Sequence, residues 1–193
     1  MKKLIIVFAL VAASVGAYAQ ASVAIGIKGG VNFANLDGST TVKSNFDSRT
    51  GYHFGAFTLF KFTKIGIQPE VLFSQQGSKV KVNTSDLDGN FSYINIPIIV
   101  KLYTVAGINL QAGPQFGFLS RAEIDNTDVK DSFKKSDISL ALGAGWDIPF
   151  GITIDARYNL GLTKIEDDPA YQNIKNQVWQ ISVGYKIFKF GKD

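Results

Sequence analysis

The chain has 193 residues, with 20 basic and 16 acidic side chains and a formal charge of +4. Apolar residues make up 46% of it and charged residues 19%, against roughly 25% charged residues in an average soluble protein. This composition excludes an intrinsically disordered chain, and the lack of cysteine excludes a disulfide scaffold, a cysteine-based metal site and a thiol nucleophile. The small net charge gives no indication of a nucleic-acid partner.

Residues 1–19 have the features of a cleaved secretory signal peptide. Lys2 and Lys3 precede an apolar stretch over residues 4–15, and Ala17-Tyr18-Ala19 has the A-x-A pattern of a cleavage site. The apolar stretch is shorter than the ~20 residues that a membrane-spanning helix needs. We therefore predict two parts: a signal peptide over residues 1–19 and one β-barrel domain over residues 20–193.

Beyond the signal peptide, apolar residues recur at every second position, which is the period of a β-strand. Seven segments show this period clearly. An eighth segment, 50–62, is also strand-like, but its apolar and polar residues do not separate onto two faces, so its facing is left open. The predicted strands are longer than the ~5–6 residues of ordinary globular strands and match the ~9–11 residues of membrane-spanning strands. The eight predicted strands lie at residues 23–34, 50–62, 65–74, 93–102, 108–118, 137–148, 152–162 and 179–187.

The connections between these strands alternate in length. Four are long and polar, and three are short. This alternation predicts an all-β, eight-stranded antiparallel up-and-down transmembrane β-barrel with four long outer loops and three short periplasmic turns. The long connections are residues 36–49, 77–90, 121–135 and 164–176, and the short ones are near 61–64, 104–107 and 149–151.

The polar face of the predicted strands carries many glycines and a balanced set of charges. Small side chains suit the narrow interior of an eight-stranded barrel, and an unpaired charge there would be costly. We therefore expect this face to line the lumen and the apolar face to contact lipid in the outer membrane. The predicted lumen network consists of Lys28, Lys101, Arg157 and Lys186 facing Glu70, Asp137, Asp147 and Asp155.

Two consequences of this facing can be tested by a structure. Glu70 and Lys101 lie on neighbouring strands, and we expect them to form an ion pair inside the barrel, with a diagonal pair or a link through Asp147 as the alternatives that barrel shear allows. The alternative to a membrane barrel is a soluble periplasmic ligand-binding barrel, in which the apolar face would be buried and the polar face would point outward. Aromatic residues near the strand ends are expected to form the two interfacial girdles of a membrane barrel. They are Trp146 at the turn end, Trp179 at the loop end, and Tyr52, Tyr103, Phe150 and Tyr158.

Four segments in a fixed order resemble the PorT-like family of outer-membrane β-barrel proteins. They are Ile67-Gln68-Pro69-Glu70-Val71-Leu72-Phe73-Ser74-Gln75-Gln76-Gly77, Tyr93-Ile94-Asn95-Ile96-Pro97-Ile98, Ala112-Gly113-Pro114-Gln115 and Arg157-Tyr158-Asn159-Leu160-Gly161-Leu162. The resemblance covers essentially the whole chain after the signal peptide. It implies a small barrel in the outer membrane of a Gram-negative cell, in a family whose small members mostly have no known activity.

The sequence offers little for catalysis. His53 is the only histidine, and we expect it at the barrel rim or in an aromatic girdle. Ser48 and Asp47 lie near it in the chain, but no spacing motif of a hydrolase joins them, and neither a nucleophile elbow nor a P-loop is present. We therefore predict that the protein is not an enzyme and has no catalytic, cofactor-binding or metal site.

The resulting functional hypothesis is a non-enzymatic integral outer-membrane barrel whose lumen is filled by side chains. It would have a structural role or act through its loops. The expected partners are outer-membrane lipid and lipopolysaccharide, the outer-membrane assembly machinery and other envelope proteins that contact the loops. The alternatives are a narrow pore or transport channel for small solutes and an outer-membrane enzyme with a polar constellation around His53.

Overall fold

The structure is a computed structural model that describes residues 21–37, 49–82, 85–124, 127–128, 136–162 and 175–191. Almost all of them lie in long β-strands. The predicted signal peptide lies outside the described residues, as does most of three of the predicted long loops. The strands are β1 (Ala21–Asp37), β2 (Arg49–Phe62), β3 (Ile65–Val82), β4 (Ser85–Tyr103), β5 (Ile108–Ile124), β6 (Ser136–Asp147), β7 (Ile152–Gly161) and β8 (Lys175–Phe190).

Each strand pairs antiparallel with its neighbours in the chain, and β1 pairs with β8 to close the sheet. The predicted eight-stranded antiparallel up-and-down β-barrel is therefore confirmed. A two-residue strand, Thr127–Asp128, also pairs with the end of β5. In the part of the chain that the structure describes, no helix is long and apolar enough to cross a membrane.

Two strands continue well into segments that were predicted as loops. β3 runs to Val82 and β4 begins at Ser85, and their pairing continues from Gly77 opposite Asn90 to Val82 opposite Ser85. Residues 77–82 and 85–90 therefore form the outer end of a hairpin, and the loop prediction for them was wrong. The alternation in this segment is short, since only Val80, Val82 and Leu87 are large apolar residues within 77–90, and it therefore did not identify a strand.

Three short connections lie where the sequence predicted turns. Thr63 has a left-handed backbone with φ of 50°, and so do Ala106 and Phe150 with φ of 54° and 71°. Backbone hydrogen bonds close the turns, such as the one from Thr104 N to Ile108 O at 2.8 Å. These tight turns, the start of β1 and the end of β8 lie at one end of the barrel, which we call the turn end, and the opposite end is the loop end.

The two faces of the strands have the predicted orientation. The large apolar side chains point outward, as in the case of Ile27, which is 54% exposed, whereas the adjacent Lys28 is 4% exposed inside the barrel. A soluble barrel would show the reverse distribution. In β2, whose facing was left open, His53 and Phe57 point inward and Tyr52 and Phe54 outward. The protein thus has an apolar outer belt and a mainly polar lumen, as a membrane barrel requires.

The lumen also contains a small apolar cluster near the turn end, which the strand pattern did not predict. Ala24, Phe57 and Leu59 form a buried cluster there. Gly26 makes room for it, since a Cβ at Gly26 would lie 2.5 Å from Cζ of Phe57. Apolar side chains therefore help to fill the barrel at this end.

Candidate functional site

The centre of the lumen contains an ion pair that crosses the barrel. Arg157 on β7 donates from Nη1 to Glu70 Oε2 at 3.0 Å and from Nη2 to Glu70 Oε1 at 2.6 Å. β7 and β3 lie four strands apart in the closed sheet of eight, so the two side chains meet across the full width of the lumen. Both residues are almost completely buried. The two parallel hydrogen bonds form the bidentate geometry that makes arginine–carboxylate pairs strong and specific.

Lys28 and Asp155 extend this pair into a cluster. Lys28 Nζ lies 2.7 Å from Asp155 Oδ2 and 3.3 Å from Glu70 Oε1. Arg157 Nη2 is 3.7 Å from the same Asp155 oxygen. Gln111 completes the set, because it accepts a hydrogen bond from Arg157 Nε at 2.6 Å and donates one to Asp155 Oδ1 at 2.5 Å. Each charge in this cluster thus has an opposite charge and a further polar partner, as a buried network requires.

A second group of charges lies closer to the turn end. Asp147 contacts Lys101 Nζ at 3.2 Å and Lys186 Nζ at 2.8 Å, and Tyr103 donates its hydroxyl to Asp147 at 2.8 Å. Lys101 also lies 3.4 Å from Asp155, which joins the two groups. Tyr103 was expected in an interfacial girdle, and that prediction was wrong. It is 6% exposed, since it shares the lumen-facing side of β4 with Lys101.

The expected Glu70–Lys101 pair is not formed, because the strand register separates the two residues. Lys101 lies opposite Gly66, four residues from Glu70 along β3 toward the turn end. At about 3.3 Å per residue this separation is roughly 13 Å, too far for an ion pair. Glu70 instead pairs with Arg157 and Lys28, and Lys101 with Asp147 and Asp155.

The structure therefore brings together seven of the eight residues of the predicted lumen network. They are Lys28, Glu70, Lys101, Asp147, Asp155, Arg157 and Lys186. Asp137 lies apart from them, in a small recess on the loop side of the lumen. The alternation of side chains along each strand predicts which residues face inward, but the partner of each charge depends on the barrel's register and on contacts between opposite strands.

His53 lies inside the barrel, so the prediction that it sits at the rim or in a girdle was wrong. It is 1% exposed, with Nδ1 at 2.8 Å from Asn32 Oδ1 and Nε2 at 2.8 Å from Ser182 Oγ. Asn32 donates in turn to Ser74 at 2.8 Å. Sequence reasoning missed these partners because β2 carries aromatic residues on both faces, so its periodicity did not assign His53 to the lumen.

The order Asn32–His53–Ser182 matches the hydrogen-bond order of a serine hydrolase triad, in which an acceptor orients the histidine and the histidine contacts the serine. All three residues are buried to 99% or more, with exposures of 1%, 1% and 0%. Ser48 and Asp47, the neighbours considered from the sequence, lie outside the described residues. The structure therefore contains triad-like contacts whose serine is closed off from solvent.

The outer surface carries aromatic side chains at both ends of the strands. Trp146 at the turn end donates Nε1 to the Ala106 carbonyl at 2.9 Å. At the loop end, the rings of Tyr158 and Trp179 on neighbouring strands pack at a tilt of 41° with their centroids 4.9 Å apart. Both tryptophans are exposed on the outward face. Their positions agree with the predicted interfacial girdles, where such rings are stable between lipid and water.

A profile described as "Outer membrane protein beta-barrel domain" matches residues 18–167, which is about three quarters of the chain. The chain belongs to this family. Its apolar belt, polar lumen and family together place the protein in the outer membrane, amid lipid. No curated protein matches the sequence.

Solved structures with the same fold include two bacterial surface proteins. Neisserial surface protein A (NspA) superposes with a TM-score of 0.56 at 16% identity, covering 84% of this chain and 97% of that one. Ail, the attachment invasion locus protein of Yersinia pestis, solved with the heparin analogue sucrose octasulfate, has a TM-score of 0.50 at 17% identity, covering 89% and 99%. At these identities the likeness shows a shared fold only.

Proposed function

We propose that this protein is a non-enzymatic outer-membrane barrel that is closed to solutes and acts as a structural element or through its loops. The observation that carries the proposal is the Arg157–Glu70 pair, which crosses the lumen with both side chains buried. The Lys28–Asp155 pair and the apolar cluster at the turn end occupy much of the remaining space. An interior filled in this way leaves the two ends and the lipid-facing surface for contacts with other molecules.

The proposed partners follow from these surfaces. Lipopolysaccharide would surround the loop end, the assembly machinery would insert the barrel, and other envelope proteins would contact the loops. We also propose that the chain falls within the PorT-like branch of outer-membrane barrels. In support, the four segments that carry this resemblance provide lumen-facing residues, including Gln68, Glu70, Asn95, Gln115 and Arg157.

Conductance measurements test the closed lumen. The refolded protein is inserted into a planar lipid bilayer, and the current is recorded across a range of voltages. We expect no steady open-channel steps, because buried side chains of the charged cluster occupy the centre of the narrow lumen and each of them is held by an oppositely charged partner. Insertion is verified separately by the heat-dependent shift in gel mobility of the folded barrel.

A variant that removes the central side chains provides the matched comparison. Arg157→Ala combined with Glu70→Ala deletes both members of the cross-lumen pair, and we expect transient current steps from this variant alone. Steady steps of uniform size from the unmodified protein would contradict the proposal and favour the alternative, a narrow pore for small solutes.

The buried Asn32–His53–Ser182 contacts lead to a separate prediction on catalysis. A fluorophosphonate probe labels a serine only when that serine is accessible and activated by a base. Because Ser182 is fully buried in the lumen, we expect no labelling of the folded protein. Labelling that is absent from Ser182→Ala would instead support an outer-membrane hydrolase.

A further inference from the structure

The lumen contains a small polar recess on its loop side, separate from the charged cluster. It has a volume of about 20 Å³. A space of this size holds one water-sized particle and no larger organic ligand. The recess is lined by Tyr93, Asn95, Gln115, Gly117, Asp137, Ser139, Asn159 and Val178.

Gly117 creates the space in this recess. It lies between Asn95 on β4 and Asp137 on β6 in one row across three strands. A Cβ at Gly117 would lie 3.1 Å from Asn95 Oδ1 and 3.7 Å from Asp137 Cβ. The missing side chain therefore leaves a gap between an amide oxygen and a carboxylate.

Asn159 provides an independent indication that something occupies this gap. Its side chain lines the recess and is only 4% exposed, yet its Oδ1 accepts no hydrogen bond. A buried acceptor without a donor or an ion is destabilising, so native structures nearly always provide a partner. A species that offers positive charge or hydrogens to this oxygen would satisfy it.

The lining residues carry oxygen groups that can act as ligands: one carboxylate, the side-chain amides of Asn95, Gln115 and Asn159, and two hydroxyl groups. Oxygen ligands of this kind suit hard cations. We propose that the recess binds a single hard cation of the calcium class, with Asp137 supplying the charge and Asn159 a buried oxygen. A carboxylate has several lone pairs, so Asp137 can serve this site while keeping other partners.

The charge of the site sets its affinity. Within the described residues, no group of three histidine, cysteine, aspartate or glutamate side chains is arranged to hold a metal. The ion would therefore be bound by one carboxylate and neutral oxygens. Sites of low charge, as in extracellular calcium modules, have dissociation constants of about 0.1–1 mM, and we expect a value in this range.

Terbium luminescence tests the proposal, because Tyr93 lines the recess and can sensitise a bound Tb³⁺ ion. The chain is refolded in detergent micelles free of lipopolysaccharide, stripped of metal with a chelator and titrated with TbCl₃. We expect saturable tyrosine-sensitised emission that Ca²⁺ displaces with half-effect at about 0.1–1 mM. Asp137→Asn should weaken displacement by Ca²⁺ at least about tenfold, since it removes the site's carboxylate.

Two alanine substitutions of lumen glycines form a matched pair. Gly117→Ala places a methyl group in the gap and should abolish the calcium-sensitive signal. Gly66→Ala is the control at the turn end, where the nearest neighbours of the new Cβ would be side-chain atoms of Leu59 at 3.0 Å, Tyr103 at 3.1 Å and Lys101 at 3.4 Å. We expect the control to keep the wild-type response.

Folding of every variant is verified by heat-dependent gel mobility, and Asn159→Ala replaces any recess variant that does not fold. Three results would overturn the proposal. One is the absence of saturable, calcium-sensitive emission from the unmodified protein, which would mean that a water molecule fills the recess. The second is an unchanged response in the folded recess variants, and the third is an equal loss in Gly66→Ala.

Discussion

Replacing Glu70 by Gln is expected to destabilise the barrel by about 3–5 kcal/mol, the usual effect of removing one partner of a buried ion pair. Glu70 accepts two hydrogen bonds from Arg157 and also contacts Lys28. The connected network has four cationic and three anionic side chains, so loss of Glu70 enlarges an existing excess of buried positive charge. Reversible urea unfolding of the refolded protein in micelles measures the change.

A double-mutant cycle separates direct pairing from a general effect of charge. Arg157→Met alone should also be destabilising, because it leaves Gln111 and Glu70 without their guanidinium partner. In the double variant with Glu70→Gln much of the loss should be recovered, since replacing both members of a buried pair is often close to neutral. We expect a coupling energy of about 2–3 kcal/mol, within the range for residues in one network.

Lys101→Met provides the control cycle, because Lys101 is a buried cation of the same lumen that does not contact Glu70. Combined with Glu70→Gln, it should show a coupling energy below about 1 kcal/mol. Equal coupling in the two cycles would mean that only the total charge of the lumen matters. Additive losses in the Glu70–Arg157 cycle would contradict the cross-lumen pair itself.

Gly30→Ala is expected to destabilise the barrel by about 1–3 kcal/mol, the range for adding volume to a packed interior. A Cβ at Gly30 would collide with the backbone carbonyl of Ile181 on β8 and lie 2.8 Å from Cε1 of His53. A carbonyl oxygen within a strand cannot move without disturbing the pairing of β1 with β8, which closes the barrel. The same urea unfolding measures the loss, and the yield of refolded barrel should fall with it.

The neighbouring glycine on the same strand is the control for this substitution. A Cβ at Gly29 would meet its nearest atoms at 3.4 and 3.8 Å, which is ordinary van der Waals contact. Gly29→Ala should therefore change stability by no more than about 0.5 kcal/mol, like other substitutions away from packed sites. A similar loss for both variants would indicate that β1 is sensitive to its intrinsic strand propensity rather than to the space beside His53.

The number of strands, their order and the orientation of most side chains were predictable because a strand alternates its side chains with a period of two. The outward position of Ile27 and the inward position of Lys28 follow from this period once the medium outside is identified as lipid. The many glycines and balanced charges on one face made that identification possible. This information is local in the chain, and no knowledge of distant contacts is needed to use it.

Periodicity was uninformative where a strand has no purely apolar face. β2 places Phe57 inside the barrel and Phe54 outside, so the position of His53 could not be inferred. The outer hairpin of β3 and β4 has few apolar residues and only a short alternating stretch, although its backbone pairing continues to Val82 and Ser85. In β2 the sequence predicted the strand but not its facing, and in the outer hairpin it did not predict the backbone pairing that extends the two strands.

Only the tertiary structure decided which lumen charges meet. The sequence by itself determined that Glu70, Lys101 and Arg157 share the interior of an eight-stranded barrel. Glu70 and Lys101 were expected to pair because they lie on neighbouring strands, but the strand register places them too far apart. Closure of the sheet instead brings Arg157 from the opposite wall of the barrel into contact with Glu70. The physical reason is that the alternation of side chains between the two faces of a strand is a local property of the backbone. Contact across a lumen depends instead on the diameter and stagger of the closed barrel.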